Sequence, residues 1–214
     1  MPPVEDACAQ SVTPSGSRAQ RTPHRGALQW GETMKIIRLL VPVGILLCHT
    51  AAYAADGVDM AVKRVLDNKL QLQVPQSFML MGEDKRMKFP KDRRPTLAFI
   101  DSAGVVSIAV TLSETKVFDS QVEDAHKNMI GNLRTAFPQA QWKRNDRIGV
   151  GDHPAFLLDL RAPTTPSSPE ARYVIMGASL GGKLLTITMK CPPAEEEDWL
   201  PVWDTVVKSV VFVP

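Results

Sequence analysis

The stretch ARYVIMGASLGGKLLTITMK, residues 171–190, decides the fold. Residues 171–180 and 183–190 are rich in β-branched and other apolar side chains. The Gly181-Gly182 pair between them is a strong signal for a two-residue β-hairpin turn. The second run alternates Leu, Ile and Met with Thr, which is the pattern of a strand with one buried face. The stretch therefore predicts two neighbouring antiparallel strands.

Further strands are predicted on both sides of this hairpin by the same alternation of apolar and polar residues. Upstream they cover residues 69–75, which continue at 78–81, and residues 95–101, 105–112, 142–148 and 155–161. Residues 210–213 add a final short segment of strand.

Two helices are predicted from apolar residues spaced three or four apart. The first covers residues 121–137, opens with a Ser120-x-x-Glu123 capping box and stops at Pro138. The second covers residues 199–209, with an acidic run before it and Pro201 in its first turn. The predicted fold class is α+β, an antiparallel sheet of about six strands covered by a central and a C-terminal helix.

Residues 34–54 have the pattern of a secretory signal peptide. Lys35 and Arg38 form a basic start, residues 39–48 form the apolar centre, and cleavage is expected after Ala54. The apolar run is short for a transmembrane helix, which needs about 20 residues. An uncleaved anchor remains the alternative. We therefore expect a periplasmic or secreted protein without a stable membrane anchor.

The same segment divides the chain. Residues 1–33 are rich in Pro, Ser, Gly and Arg and are expected to be a disordered leader or a mis-assigned start. Residues 55–67 are expected to form a short linker or an N-terminal helix, and residues 68–214 a single domain. Cys48 follows Leu rather than a small residue, so a lipid anchor on it is not expected.

Charge and cysteine content narrow the function of the mature chain. Five of the 25 Lys and Arg and three of the 23 Asp and Glu lie within residues 1–54, so the remainder carries no net charge. This balance argues against a nucleic-acid partner. Cys191 is the one cysteine after residue 54 and is expected to be a buried strand-end residue, so no intramolecular disulfide forms.

No convincing catalytic or metal-binding motif follows from the sequence. Ser179 stands in a Gly-x-Ser-x-Gly pattern, but the nucleophile elbow requires a turn into a helix and a later His, and neither follows here. Asp152-His153 with a remote acid is a weak metal motif. His126 is expected at the boundary or surface of its helix. We predict a chain that is not an enzyme and that has no cofactor and no metal.

Partner binding is the more promising role. Lys85, Arg86, Lys88, Arg93 and Arg94 lie in one short basic run that could contact an acidic or anionic surface, although a solvated loop is the simpler interpretation. In a second segment, Trp142 and Arg144 are candidate contact residues, with a core position as the alternative for the tryptophan.

The order of these parts resembles the PsbP-like superfamily, which includes DcrB-type bacterial envelope proteins and adaptors of type VI secretion. The resemblance rests on LQLQVPQSF at residues 70–78, the strand 106–112 before an amphipathic helix, IGVGDHPA at residues 148–155, the terminal hairpin, and VVKSVVF at residues 206–212. It implies an antiparallel sheet covered by helices and a binding role without a shared catalytic centre.

The leading functional hypothesis is therefore an exported, non-catalytic accessory, adaptor or immunity-type factor that binds another envelope or secreted protein. The first alternative is a small-ligand or lipid-binding periplasmic module that uses the sheet under the central helix. The second is a hydrolase that uses Ser179 as its nucleophile. No oligomeric state is predicted.

Overall fold

The computed structural model describes residues 57–163 and 168–214. The predicted leader and signal peptide lie outside these residues. The described chain contains ten strands and three α-helices: β1 (Met60–Val65), β2 (Leu70–Pro75), β3 (Met79–Leu80), α1 (Glu83–Arg86), β4 (Leu97–Ile100), β5 (Ser107–Lys116), α2 (Val122–Ala136), β6 (Gln141–Val150), β7 (His153–Pro163), β8 (Glu170–Leu180), β9 (Lys183–Cys191), α3 (Glu196–Lys208) and β10 (Val211–Phe212). Three short 3₁₀ turns cover Lys91–Arg93, Asp119–Gln121 and Pro193–Glu195.

The strands form two antiparallel sheets. The larger sheet has the order β3-β4-β5-β9-β8-β7-β6, and the smaller has the order β1-β2-β10. The predicted β8–β9 hairpin is confirmed. Its turn residues Gly181 and Gly182 have φ angles of 59° and 74°, which glycine adopts at little steric cost. The predicted α+β class with an antiparallel sheet is confirmed, with more strands than the six expected.

The larger sheet buries side chains on both faces. One face packs against α3 and the smaller sheet, so that Trp203 and Val206 share a core with Leu72 of β2. The other face packs against α2 over Phe156 and Leu158 of β7. Because α2 and α3 lie on opposite faces, the described residues form two apolar clusters with the larger sheet between them.

The linker or N-terminal helix predicted for residues 55–67 is wrong where the structure has strand β1, at Met60–Val65. All six of its residues pair with β2, from Met60 opposite Pro75 to Val65 opposite Leu70. The turn that joins the two strands contains Leu66, Asp67 and Asn68, all with positive φ. Asp and Asn tolerate this conformation better than most residues, so the Asp-Asn pair was an available turn signal.

Both long helices begin differently from the prediction. The Ser120–Glu123 capping box does not form, because a 3₁₀ turn precedes α2 and the Gln121 side chain accepts the Phe118 N–H at 3.1 Å. Helix α3 begins at Glu196, three residues earlier than predicted. Pro201 therefore lies beyond the first turn, inside the helix.

Candidate functional site

Strand β3 lies at one edge of the larger sheet and pairs with β4 alone among the described strands. Its two residues are both apolar and both exposed, Met79 at 56% and Leu80 at 64%. Successive strand residues point to opposite faces, so neither face of β3 is covered. An exposed apolar edge strand is uncommon because it can pair with another chain.

The loop after β3 is shaped by two arginines. Arg86 donates from Nη1 to the carbonyl oxygen of Thr96. Arg94 donates from Nη2 to the carbonyl oxygens of Met87 at 3.4 Å and Phe89 at 3.2 Å. Two of the predicted binding residues thus have partners within their own loop, where they stabilise its conformation.

Several other side chains of this loop face solvent. Met87 is 53% exposed and Phe89 is 42% exposed. Lys85, Lys88 and Lys91 are exposed beside them, and Arg93 lies on the 3₁₀ turn. Because the loop joins neighbouring strands β3 and β4, it lies at the same edge as β3. We define the edge patch as Met79, Leu80, Lys85, Met87, Lys88, Phe89 and Lys91.

Trp142 and Arg144 lie at the opposite edge, on β6. The Arg134 guanidinium lies over the Trp142 ring, 5.7 Å from its centroid. Arg144 contacts Asp146 at 2.9 Å and Asp204 at 3.9 Å. The structure therefore divides the predicted binding residues between two edges of the sheet rather than joining them in one site.

Ser179 and the pair His153–Asp119 line a common cavity of about 450 Å³. His153 Nδ1 and Asp119 Oδ2 are 2.8 Å apart. The Ser179 hydroxyl is buried and donates to the carbonyl oxygen of Val117 at 2.7 Å. That hydrogen bond joins β8 to the segment leading into α2, and it gives the hydroxyl a structural role in this conformation. Among the described residues, no group of three or more His, Cys, Asp or Glu is arranged to hold a metal ion.

His126 is the functional candidate that the sequence analysis misplaced. It is 7% exposed rather than at the surface, and its ring stacks on Phe156 with centroids 4.6 Å apart and an interplanar angle of 9°. Its Nε2 is buried and has no hydrogen-bond partner in the described part of the chain. No sequence signal could place His126 on Phe156, because the two residues lie on different elements.

A buried ion network holds α3 against the sheet. Arg172 on β8 donates to both carboxylate oxygens of Asp159 on β7, with Nη2–Oδ2 at 2.7 Å. Arg172 also lies 3.3 Å from Glu196 in the first turn of α3, and Arg161 donates to the same carboxylate. The Arg161 hydrogen bond lowers the pKa of Glu196 below its usual value.

Cys191 lies beside this network and is buried, as expected from the sequence. Burial, with a further contribution from the nearby Glu196 and Glu195 carboxylates, raises the pKa of its thiol to about 12. A thiol with such a pKa is almost entirely protonated near neutral pH and is a poor nucleophile.

Comparisons with known proteins identify the fold. No protein-family model matches the chain. No curated protein matches it in sequence. The solution structure of cyanobacterial PsbP (CyanoP) from Synechocystis sp. PCC 6803 is similar, with a TM-score of 0.54 and 14% identity over 82% of this chain and 98% of that one. The chain has a PsbP-like fold.

A second solved structure with this PsbP-like architecture is LpqN of Mycobacterium tuberculosis, described as involved in cell envelope biogenesis. It has a TM-score of 0.51 and 13% identity over 73% of this chain and 91% of that one. Among residues 57–163 and 168–214, no helix has the length and apolar character needed to cross a membrane.

Proposed function

We propose that the protein is an exported, non-catalytic accessory of the cell envelope that binds another protein through the edge patch. The observation that carries this proposal is the exposure of four large apolar side chains, Met79, Leu80, Met87 and Phe89, at one edge of the sheet. Exposed apolar side chains along a free sheet edge are typical of surfaces that bind another chain.

The composition of the patch defines the partner. Lys85, Lys88 and Lys91 are exposed beside the apolar residues, and Glu83 and Asp84 are exposed in the same loop, so a complementary segment carries charged side chains of both signs beside apolar ones. The free edge of β3 offers backbone groups to an added strand, as in β-augmentation. We therefore infer an extended partner segment that pairs with β3 and carries apolar and charged side chains.

The preformed loop favours binding of this kind. Arg86 and Arg94 hold the loop through carbonyl oxygens of Thr96, Met87 and Phe89. Ordering a flexible loop on binding costs free energy, and a loop that is already ordered avoids that cost.

The proposed export and envelope location do not depend on the edge patch. Residues 34–54 carry the signal-peptide pattern, and LpqN, which shares the fold, is described as acting in cell envelope biogenesis. N-terminal sequencing of the protein recovered from the producing cells tests export, with Ala55 as the expected first residue. Recovery of the protein with residues 34–54 attached would contradict it.

Binding is tested by quantitative affinity capture from envelope extract with the wild-type chain and the Leu80→Lys variant. We expect one stoichiometric partner with the wild type and its loss with Leu80→Lys, because a charge in an apolar contact is left unpaired. Val62→Lys is the matched control, since Val62 is 57% exposed on β1, outside the patch. Retention by Leu80→Lys, or equal loss with both variants, would contradict the proposal.

A further inference from the structure

The most exposed methionines of the described chain both lie in the edge patch. Met79 is 56% exposed and Met87 is 53% exposed. The other methionines that the structure describes are half-buried or buried and lie outside the patch: Met60, Met81, Met129, Met176 and Met189. The thioether sulfurs that solvent reaches most freely therefore belong to the surface that is proposed to bind a partner.

Burial protects the core methionines from oxidants. Met176 and Met189 are 1% and 0% exposed and belong to the core shared with α3. A peroxide must contact the sulfur to react with it, so a buried methionine reacts only when the protein opens. Opening of a core strand costs nearly the free energy of global unfolding. An oxidant therefore reaches the edge patch well before it reaches the core.

The cysteine of the described chain is protected as well. Cys191 is buried, and its thiol is a poor nucleophile at neutral pH. A peroxide in contact with residues 57–163 and 168–214 thus meets methionine sulfur at the edge patch before it meets a reactive thiol.

The fold does not depend on the sulfur atoms of the two exposed methionines. Met79 pairs with Ile100 of β4 through its backbone, and the carbonyl oxygen of Met87 accepts from Arg94. Neither side chain belongs to the two apolar clusters. A chemical change at these sulfurs therefore alters the polarity of the patch and leaves its backbone in place.

We propose that Met79 and Met87 form an oxidation-sensitive modification site, at which a hydroperoxide converts both thioethers to sulfoxides and thereby releases the partner of the edge patch. This inference rests on the binding function proposed above. The proposed export supports it, because an exported protein lies outside the reducing cytosol.

The reaction at each sulfur is a two-electron oxidation. The sulfur lone pair attacks one oxygen of the hydroperoxide, an S–O bond forms and the O–O bond breaks. The second oxygen takes up the proton and leaves as water or an alcohol, so the sulfur is oxidised and the peroxide is reduced. The sulfoxide is polar where the thioether was apolar, and methionine sulfoxide reductases reverse the change. Its oxygen is left without a hydrogen-bond donor in a contact formed with an apolar thioether, which weakens binding.

Mass spectrometry tests the modification without a partner. The purified protein is treated with hydrogen peroxide, the reaction is stopped at intervals, and the added oxygen is located in Glu-C peptides. We expect Met79 and Met87 to be oxidised faster than Met176 and Met189 by about tenfold or more. The urea midpoint should change by less than about 0.3 M, as for other surface changes. Equal rates at the four methionines, or a larger fall in the midpoint, would overturn the proposal.

Affinity capture from envelope extract tests the consequence for binding. The wild type is oxidised until Met79 and Met87 carry sulfoxides, and the peroxide is removed before the protein meets the extract, so the partner stays unoxidised. We expect the captured partner to decrease by about tenfold or more. Treatment of the oxidised protein with methionine sulfoxide reductases should restore capture.

Two double variants assign the effect to the patch. Met79→Leu/Met87→Leu should capture the partner both before and after peroxide, because leucine keeps an apolar side chain of similar volume and forms no sulfoxide. Met60→Leu/Met129→Leu is the matched control, since it removes two half-buried methionines outside the patch. This control should stay as sensitive to peroxide as the wild type.

The outcomes separate the oxidation site from the binding function. Equal capture by the reduced and the oxidised wild type, or loss of capture by Met79→Leu/Met87→Leu after peroxide, would overturn the oxidation site alone. The edge patch would then remain a binding surface. Absence of a stoichiometric partner for the reduced wild type would overturn the binding function, and this inference with it, whatever the oxidation rates.

Discussion

Replacing Arg172 with Met should be among the most destabilising single changes in this chain. The guanidinium holds both oxygens of Asp159 and also contacts Glu196, and Arg172 and Asp159 are both buried. Without it the Asp159 carboxylate stays buried and unpaired, since residues 57–163 and 168–214 give it no other cationic contact. Breaking a buried pair from one side costs about 3–5 kcal/mol, and we expect a loss of unfolding free energy in that range.

Substitutions at Asp159, the partner of Arg172, test whether the lost stability comes from the unpaired charge. Asp159→Leu leaves Arg172 in contact with Glu196, so it should cost less than Arg172→Met. The double variant Arg172→Met/Asp159→Leu removes both charges and fills the space with apolar atoms. Replacing a whole buried pair in this way is often neutral or stabilising, so the double variant should recover most of the lost stability.

Urea unfolding followed by tryptophan fluorescence measures the effect, because Trp203 is a buried residue of α3. With a slope of about 2 kcal/mol/M, the Arg172→Met midpoint should fall by roughly 1.5–2.5 M. Lys208→Met removes an exposed pair with Asp204 and should cost less than about 1 kcal/mol. A double variant as unstable as Arg172→Met would refute the reasoning, and so would an Arg172→Met cost no larger than that of Lys208→Met.

Three further predictions follow from local geometry. Gly177→Ala should lower the unfolding free energy measured in urea by about 1–3 kcal/mol, because the added Cβ would lie 2.1 Å from Phe156 Cζ, and unchanged stability would contradict this. Cys191 should resist iodoacetamide in the native protein at pH 8 and react quickly in urea, because its thiol pKa is raised to about 12, and fast native labelling would count against it. The lowered pKa of Glu196 means that its bond to Arg161 stabilises the fold above the ordinary carboxyl pKa of 4.5 and is lost as the pH falls through the lower folded value. Urea midpoints between pH 6 and pH 3 should therefore decline less in Glu196→Gln than in the wild type, and equal declines would argue against this role.

Local sequence patterns predict the strands and the central helix well. The Gly181-Gly182 turn and the alternation around it fix the β8–β9 hairpin, and the three-to-four spacing of apolar residues fixes α2. The ends of the two-residue strands β3 and β10 differ from the predicted segments 78–81 and 210–213. A segment of two residues is too short to show the alternation of apolar and polar side chains. These elements are defined by hydrogen bonds to β4 and β2, which a local pattern does not report.

The candidate sites depend on distant pairings and are therefore harder to predict. The sequence identifies the basic loop and Trp142 as candidates, but only the strand order shows that they lie at opposite edges of the sheet. Likewise, the sequence shows that Met79 and Leu80 are apolar, but only the structure shows that they are exposed, because no element among the described residues covers them.

The two apolar clusters on opposite faces of the larger sheet have a consequence for how the protein can change over time. Helix α2 belongs to one side, whereas α3 and the smaller sheet belong to the other side. Substitutions that are well separated usually contribute independently to stability. Substitutions around α2 can therefore accumulate while the α3 side continues to hold the scaffold together.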